Sequence, residues 1–323
     1  MTLTIGKARR LQQCATPDGR FVMLALDHRN NLRRSLNPAD PDSITYAEMV
    51  DFKRQVLAAL ASSTTAVLLD PEFGAAQAIA AGVLPGQVGL LVAVEATGYT
   101  DEPTARRSQI LPGWSVEKIA RMGASAVKLL VYYHPEAANA NEQEALVREV
   151  ADACRAYDIP LFLEPLSFSV DPGARKLPSA DRRAVVVETA RRLTPLGVDV
   201  LKAEFPLEIK EEPDEETWAN ACRELSAASV VPWVLLSAGV SFEEFEQQTR
   251  VACQNGASGV LAGRAVWKEA ASLGPVEQQL FLHTTAAERL QRLTRVITAY
   301  GRARTEFHPH LAESVAADWH ATY

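Results

Sequence analysis

Eight short apolar runs, each ending on a polar residue that can take part in chemistry, constrain this chain more than any other feature. Each interval between successive ends has room for one strand, one helix and two loops. A strand–helix unit repeated eight times closes into a (β/α)8 barrel, whose active site lies at the C-terminal ends of the strands. The sequence therefore predicts an α/β protein with the TIM-barrel fold. In chain order the polar ends are Asp27, Asp70, Glu95, Lys128, Glu164, Lys202, Ser237 and Arg264.

The chain length of 323 residues fits one barrel with additions at both ends, because such barrels often exceed about 250 residues as a single domain. We predict one domain over 1–323, with an N-terminal helical extension, a barrel core at about 20–275 and a helical extension over about 276–323. The last segment carries Trp319 and Tyr323, which is compatible with a contact between subunits of a homo-oligomer.

Composition narrows the class of protein. A net charge of −7 argues against general binding to nucleic acid, although a local basic pocket can still hold an anionic substrate. The four cysteines are scattered and form no CxxC pair, which is typical of reduced thiols. No signal peptide or apolar run of membrane-spanning length is present. We expect a soluble, cytoplasmic protein with neither nucleic-acid nor membrane partners.

Segments in which apolar residues recur at helical spacing lie between the runs. Glycine stands just before three of the runs, at Gly123, Gly197 and Gly256, where a positive φ would end the preceding helix. The Pro- and Gly-rich loop 169–179, past the fifth strand, is either a mobile flap or a solvated loop. The clearest helical patterns cover 46–63, 141–157, 179–193 and 241–256.

Alternation along the strands points several charged side chains into the barrel. In the fourth, fifth and sixth runs the apolar neighbours suit the helical side, so Lys128, Glu164, Lys202 and Glu204 face inward. Two interpretations remain open. The lysines either neutralise Asp27 and the two glutamates in a structural ion-pair layer, or one lysine is a nucleophile.

A lysine beside a second lysine and a carboxylate is suited to attack on a carbonyl group. With an ordinary pKa near 10.4, only about one lysine in 2,500 is neutral at pH 7. A second ammonium group and partial burial are expected to lower that pKa and increase the fraction of free amine. The pattern predicts a Schiff base, with the carboxylate moving protons on and off carbon and oxygen.

The loops after the seventh and eighth runs predict an anion site. They read LLSAGVS (235–241) and LAGRAVW (261–267). The corresponding loops of many barrels bind phosphate. Small residues allow backbone N–H groups to approach an anion, and an arginine adds a fork of donors. The predicted anion-binding residues are Ser237, Gly239, Gly263 and Arg264.

The chain resembles a known family through eight ordered strings, which extend over about residues 5–300. The family is that of the class I tagatose 1,6-bisphosphate aldolases, with the sulfofructose-phosphate aldolases as relatives. The resemblance implies a barrel lyase that cleaves a ketose phosphate to dihydroxyacetone phosphate and an aldehyde, with neither metal nor cofactor. The strings are ALDHR, LLDPEFG, VEATGY, AVKLLVYY, FLEP, DVLKAEFP, SAGVS and AGRAVW.

The resemblance also implies roles for individual residues. Lys202 is expected to form the Schiff base, Glu164 to shuttle protons and Lys128 to act as their electrostatic partner. Asp27 would hold sugar hydroxyl groups, with Arg29 beside it. The anion cradle would be the set Ser237, Gly239, Gly263 and Arg264.

One departure from the family pattern falls at the mouth of the expected site. The family has Gln, Arg and Gly after the first-strand aspartate, whereas this chain has His28, Arg29 and Asn30. The group at the aldehyde end, a phosphate, a sulfonate or a hydroxyl, is therefore left open. We predict that His28, Arg29 and Arg33 contact it.

The remaining two acids have two interpretations each. Asp70 and Glu95 either bind substrate or hold the site lysines by ion pairs.

Two other classes of protein share parts of this pattern. A metal-dependent barrel lyase would use Asp27, His28, Asp70 and Glu95 as ligands, but the chain has only six histidines. A non-catalytic sugar-phosphate sensor or partner-binding barrel would have no need of two inward lysines beside a carboxylate. The sequence therefore favours an aldolase of small sugar phosphates without a metal.

Overall fold

Eight parallel strands close into a barrel in the computed structural model, which describes residues 3–174, 177, 179–309, 311–313 and 315–323. Each strand pairs with the next in chain order, and the eighth closes on the first. The predicted (β/α)8 fold is confirmed. The strands are β1 Phe21–Leu26, β2 Ala66–Leu69, β3 Gly89–Ala93, β4 Ala126–Tyr132, β5 Leu161–Leu166, β6 Val200–Ala203, β7 Trp233–Leu236 and β8 Gly259–Ala262.

Helices surround the barrel and extend it at both ends. The predicted helices agree with α3, α6, α7 and α9 to within a few residues. The predicted flap or loop at 169–179 lies in part outside the described residues, at 175, 176 and 178. The α-helices are α1 Ile5–Gln13, α2 Asn30–Leu36, α3 Tyr46–Leu60, α4 Ala75–Ala80, α5 Val116–Arg121, α6 Ala140–Ala156, α7 Ser179–Leu193, α8 Glu215–Ala228, α9 Phe242–Gln254, α10 Arg264–Trp267, α11 Pro275–Phe281, α12 Ala287–Tyr300 and α13 Trp319–Thr322.

Alternation divides the strand side chains between two apolar cores. The outward residues pack against the helices, and they include Leu129, Leu163 and Leu201, as predicted. The inward residues in the N-terminal half of the barrel form a second core, in which the rings of Phe21 and Phe162 meet edge to face with their centres 5.9 Å apart. Because apolar residues fill the N-terminal half, the charged inward residues are confined to the C-terminal end.

The N-terminal end of the barrel is covered by α1 and the C-terminal tail. Leu11 of α1 packs onto the inner core. The backbone N–H of Arg304 donates to the carbonyl of Gly19 at 2.8 Å, and the Tyr323 hydroxyl donates to Asp158. No helix among the described residues is both long and apolar enough to cross a membrane.

Glycine follows three helices as the sequence predicted: α5, a short 3-10 helix at Thr194–Leu196, and α9. Gly123, Gly197 and Gly256 have φ values of 86°, 98° and 109°. Each allows the chain to turn directly into the next strand, and a side chain there would be strained.

Candidate active site

The C-terminal ends of the strands open into a cavity of about 720 Å³. Every predicted site residue lines it except Arg33, Asp70 and Gly239. Parallel strands bring these residues together because their carboxyl ends all meet at the same end of the barrel. The predicted residues in the cavity wall are Asp27, His28, Arg29, Glu95, Lys128, Glu164, Lys202, Ser237, Gly263 and Arg264.

Lys128, on β4, is buried at the centre of three carboxylates. Its Nζ lies 2.8 Å from Asp27, 2.6 Å from Glu95 and 2.9 Å from Glu164. Burial alone would lower the pKa of Lys128, but these carboxylates outweigh burial and raise the pKa well above its ordinary value. This corrects, for Lys128, the expectation that a second lysine and burial would lower a lysine pKa. Lys128 is held as an ammonium ion.

Lys202, on β6, has a different environment. Its Nζ contacts one carboxylate, Glu164 Oε1, at 2.8 Å, while the other oxygen of Glu164 contacts Lys128. Burial opposes ionisation of Glu164, but Lys128 and Lys202 together lower the pKa of this carboxyl group. Glu164 thus joins the two lysines through its two oxygens.

Asp27 and His28 follow β1 and lie at the edge of this cluster. Burial works against ionisation of Asp27, but Lys128 and Lys202 hold its pKa far below the usual range. Burial lowers the pKa of His28 to about 3, and its ring packs edge to face on Trp267 at 5.2 Å. His28 is therefore neutral at physiological pH and offers hydrogen bonds rather than charge.

The two arginines predicted to bind the aldehyde end are occupied elsewhere. Arg29 pairs with Glu72 at 2.7 Å and donates to the carbonyl of Glu95 at 2.8 Å. Arg33 donates to the carbonyl of Ile44 and is absent from the cavity wall as the structure describes it. Arg29 lines the cavity, but its charge is already balanced.

Asp70 lies outside the cavity, which corrects the prediction that it binds substrate or pairs with a site lysine. It forms an ion pair with Lys53 of α3, and its Oδ2 accepts backbone N–H groups of Glu72 and Phe73 at 3.0 and 2.7 Å. Lys53 also donates to the carbonyl of Leu26 at 2.8 Å. The physical reason is that the chain turns back after β2, so Asp70 binds its own loop and the helix behind it.

Replacing Lys53 by methionine is expected to destabilise the protein by about 3–5 kcal/mol, because it leaves the fully buried Asp70 without its ionic partner. Urea unfolding measures the change. Arg54→Met on the same helix is the control, since its exposed pair with Asp51 is worth at most about 1 kcal/mol. Equal stability of the two variants would contradict a structural role for the Lys53–Asp70 pair.

The predicted anion residues lie together at the ends of β7 and β8. The Gly263 N–H donates to Ser237 Oγ at 3.2 Å. Gly239 has φ of 82°, and a side-chain carbon there would lie 3.2 Å from Cζ of Arg264, so this glycine leaves room for the guanidinium group. No carboxylate among the described residues forms an ion pair with Arg264, whose charge thus faces the cavity.

Glu204 faces inward as predicted, but Arg182 forms an ion pair with it at 3.1 Å, so Glu204 does not neutralise the lysines.

Sequence reasoning missed other residues of the cavity wall. Arg106, in the segment between β3 and α5, also lines the cavity together with Tyr99 and Tyr132. The signal available was the pair of adjacent arginines in the loop that follows the third strand.

The carboxylates of Asp27, Glu95 and Glu164 form ion pairs with lysine side chains. Within the described ranges, no three His, Cys, Asp or Glu side chains are grouped so that they could hold a metal ion. Two lysines joined by a carboxylate at the C-terminal end of a (β/α)8 barrel are features of a barrel lyase that works through an amine.

Comparisons with known proteins identify the family. Residues 21–269 match the model of the DeoC/LacD family aldolases. Tagatose 1,6-diphosphate aldolase 2 of Streptococcus pyogenes serotype M3 is 32% identical, over 95% of this chain and 99% of that protein. Tagatose 1,6-diphosphate aldolase 1 of Streptococcus mutans is 32% identical over 93% of this chain and 98% of that protein. The chain belongs to the DeoC/LacD aldolase family and is an aldehyde-lyase. The predicted family and the predicted class of enzyme are therefore confirmed.

Solved structures share the fold. An archaeal fructose 1,6-bisphosphate aldolase aligns with a TM-score of 0.59 at 19% identity, over 91% of this chain and 99% of that chain. Fructose-bisphosphate aldolase from Plasmodium falciparum aligns with a TM-score of 0.73 at 13% identity, over 94% of this chain and 98% of that chain. At these identities the likeness concerns the barrel alone.

Proposed function

We propose that this protein is a class I aldolase that cleaves a ketose phosphate through a Schiff base on Lys202. The substrate we propose is tagatose 1,6-bisphosphate, which would yield dihydroxyacetone phosphate and glyceraldehyde 3-phosphate. Membership of the DeoC/LacD family and relatives named tagatose 1,6-diphosphate aldolase support this assignment.

The observation that carries the proposal is the unequal environment of the two lysines. Three carboxylates surround Lys128 and keep its ammonium form, so its nitrogen has no free lone pair for attack. Among the described residues, Lys202 forms an ion pair with Glu164 alone, at 2.8 Å, and it lines the cavity. Transfer of one proton from Lys202 to Glu164 gives the free amine that a Schiff-base mechanism needs.

The proposed cleavage begins at this amine. The amine of Lys202 attacks C2 of the open-chain ketose, and loss of water gives an iminium ion. Removal of the proton from the C4 hydroxyl group breaks the C3–C4 bond, and the electron pair moves to the iminium nitrogen. The aldehyde leaves, and an enamine remains on Lys202. Protonation at C3 and hydrolysis then release dihydroxyacetone phosphate and restore the amine.

Proton transfers are assigned to Glu164, with Asp27 placed to hold a sugar hydroxyl group. Glu164 contacts the reacting nitrogen directly, and its ionised form is favoured by both lysines. Lys128 keeps three carboxylates close together in one buried site, where they would otherwise repel one another. We propose that the phosphate on C1 binds to Ser237, to the N–H groups around Gly239 and Gly263, and to Arg264.

Borohydride reduction in the presence of dihydroxyacetone phosphate tests the proposal. We expect an irreversible mass increase on the peptide that contains Lys202, and loss of activity in proportion to the labelling. Cleavage of tagatose 1,6-bisphosphate should persist after exhaustive chelation. Absence of a trapped adduct, or an adduct on a different lysine, would refute the assignment.

A further inference from the structure

Arg106 has an unusual setting in the wall of the cavity. Its Cζ lies 4.7 Å from the ring centre of Tyr99, 5.1 Å from that of Phe168 and 5.6 Å from that of Tyr132. Three aromatic rings therefore carry one guanidinium group at the active-site mouth. Such contacts restrict a guanidinium group and leave its terminal N–H donors available to a ligand.

The charge of Arg106 has no carboxylate partner among the described residues. Its Nε donates to the carbonyl of Pro103 at 3.0 Å. The adjacent Arg107 differs, because it pairs with Asp101 and Glu142, each at 2.5 Å. One arginine of the pair is thus neutralised on the outer surface, whereas the other directs an uncompensated charge into the cavity.

The loop that carries Arg106 is fixed by buried groups. Asn139 Nδ2 donates to the carbonyls of Ala105 and Arg106 at 3.1 and 2.9 Å. Ser108 Oγ accepts the N–H of Tyr132 at 3.0 Å, which ties the loop to β4. Because the backbone is already held, little ordering is needed when a ligand binds.

The position of Arg106 complements the anion residues after β7 and β8. In a closed barrel of eight strands in chain order, β3 and β4 lie opposite β7 and β8. The lysine centre lies between these two sides. A ketose whose first phosphate binds near Arg264 and whose C2 meets Lys202 would extend its aldehyde half towards Arg106.

We infer that Arg106 is the specificity-determining residue that binds a tetrahedral oxyanion, a phosphate or a sulfonate, at the aldehyde end of the substrate. This inference rests on the proposed function. It replaces the prediction for His28, Arg29 and Arg33, since the histidine is neutral and both arginines are engaged. Guanidinium donors match such oxyanions in geometry and charge.

The test compares Arg106→Met with the matched control Arg107→Met on three substrates. These are a ketose 1,6-bisphosphate, its analogue with a sulfonate at C6, and the ketose 1-phosphate with a free C6 hydroxyl group. We expect Arg106→Met to lower kcat/KM about 100-fold on the preferred substrate among the two that carry an anionic group at both ends. Its activity on the 1-phosphate, and all activities of Arg107→Met, should stay within about twofold of the parent protein.

The outcomes separate the two proposals and the two anions. Of the two substrates with an anionic group at both ends, the one with the higher kcat/KM in the parent protein identifies the group that Arg106 binds. An equal loss on all three substrates, or no loss on either substrate with two anionic groups, would overturn the inference. Borohydride trapping of dihydroxyacetone phosphate in Arg106→Met should match the parent, because this donor lacks the distal anion. If trapping fails in the parent as well, the proposed function is wrong.

Should Arg106→Met fold poorly, Arg106→Lys provides a second variant. It keeps the charge but loses the paired N–H donors of the guanidinium group, so it should retain part of the selectivity.

Discussion

Replacing Lys202 by methionine is expected to lower kcat by at least about 1,000-fold and to abolish borohydride trapping, because the other lysine that the structure describes in the cavity wall, Lys128, is held as an ammonium ion by three carboxylates. The fold should survive this change. Glu164 keeps its contact with Lys128 at 2.9 Å, so no buried carboxylate loses its last cation. Methionine also fills much of the volume of the lysine stem. Turnover and trapping measure chemistry, and the unfolding transition measures stability.

Two comparisons isolate the effect of the nucleophile. Lys210→Met changes an exposed lysine outside the cavity and should leave turnover unchanged. Lys202→Arg keeps a positive charge beside Glu164 but removes the amine, so it should be as inactive as the methionine variant. Turnover in Lys202→Arg close to that of the parent protein would show that Lys202 supplies charge alone.

Replacing Glu164 by glutamine is expected to lower kcat by about 100- to 10,000-fold, because an amide cannot exchange protons at the Schiff-base nitrogen. The shape of the side chain and one oxygen contact are retained. Lys202 is still present, so prolonged incubation with dihydroxyacetone phosphate and borohydride should label it fully. The rate of labelling should fall with kcat. This combination of slow formation and complete yield distinguishes a proton shuttle from a residue that only maintains the fold.

Glu204→Gln provides the matched comparison for Glu164. Glu204 lines the same cavity, but its oxygens contact Arg182 and the N–H of Ser167, the latter at 2.8 Å. Its loss is expected to change kcat by less than about tenfold. A defect as large as that of Glu164→Gln would mean that a general change of cavity charge, not proton transfer, explains the result.

Much of the site is predictable from local pattern. Residues at a strand end share one end of the barrel whatever the loops do, and alternation fixes which side chains face inward. For this reason the inward positions of Lys128, Glu164 and Lys202 could be predicted from apolar neighbours such as Leu129, Leu163 and Leu201. The resemblance to the aldolase family added roles that pattern alone does not give.

Pairing between charged groups could not be predicted in the same way. Glu95 holds Lys128, whereas Asp70, at the end of the preceding strand, turns to Lys53 in a helix. Both acids end an apolar run and look alike in sequence. The distinction depends on the path of the loop after each strand, and that path is set by contacts distant in the chain.

The sequence by itself determined the barrel, its order of strands and the charged end at which chemistry can occur, because these depend on periodicity and on spacing along the chain. The tertiary structure alone decided which lysine is surrounded by three carboxylates and which contacts one. It also decided that Arg106 faces the cavity while Arg107 is neutralised outside it. These outcomes depend on distances of a few ångströms between residues far apart in sequence, over which electrostatic energies change steeply.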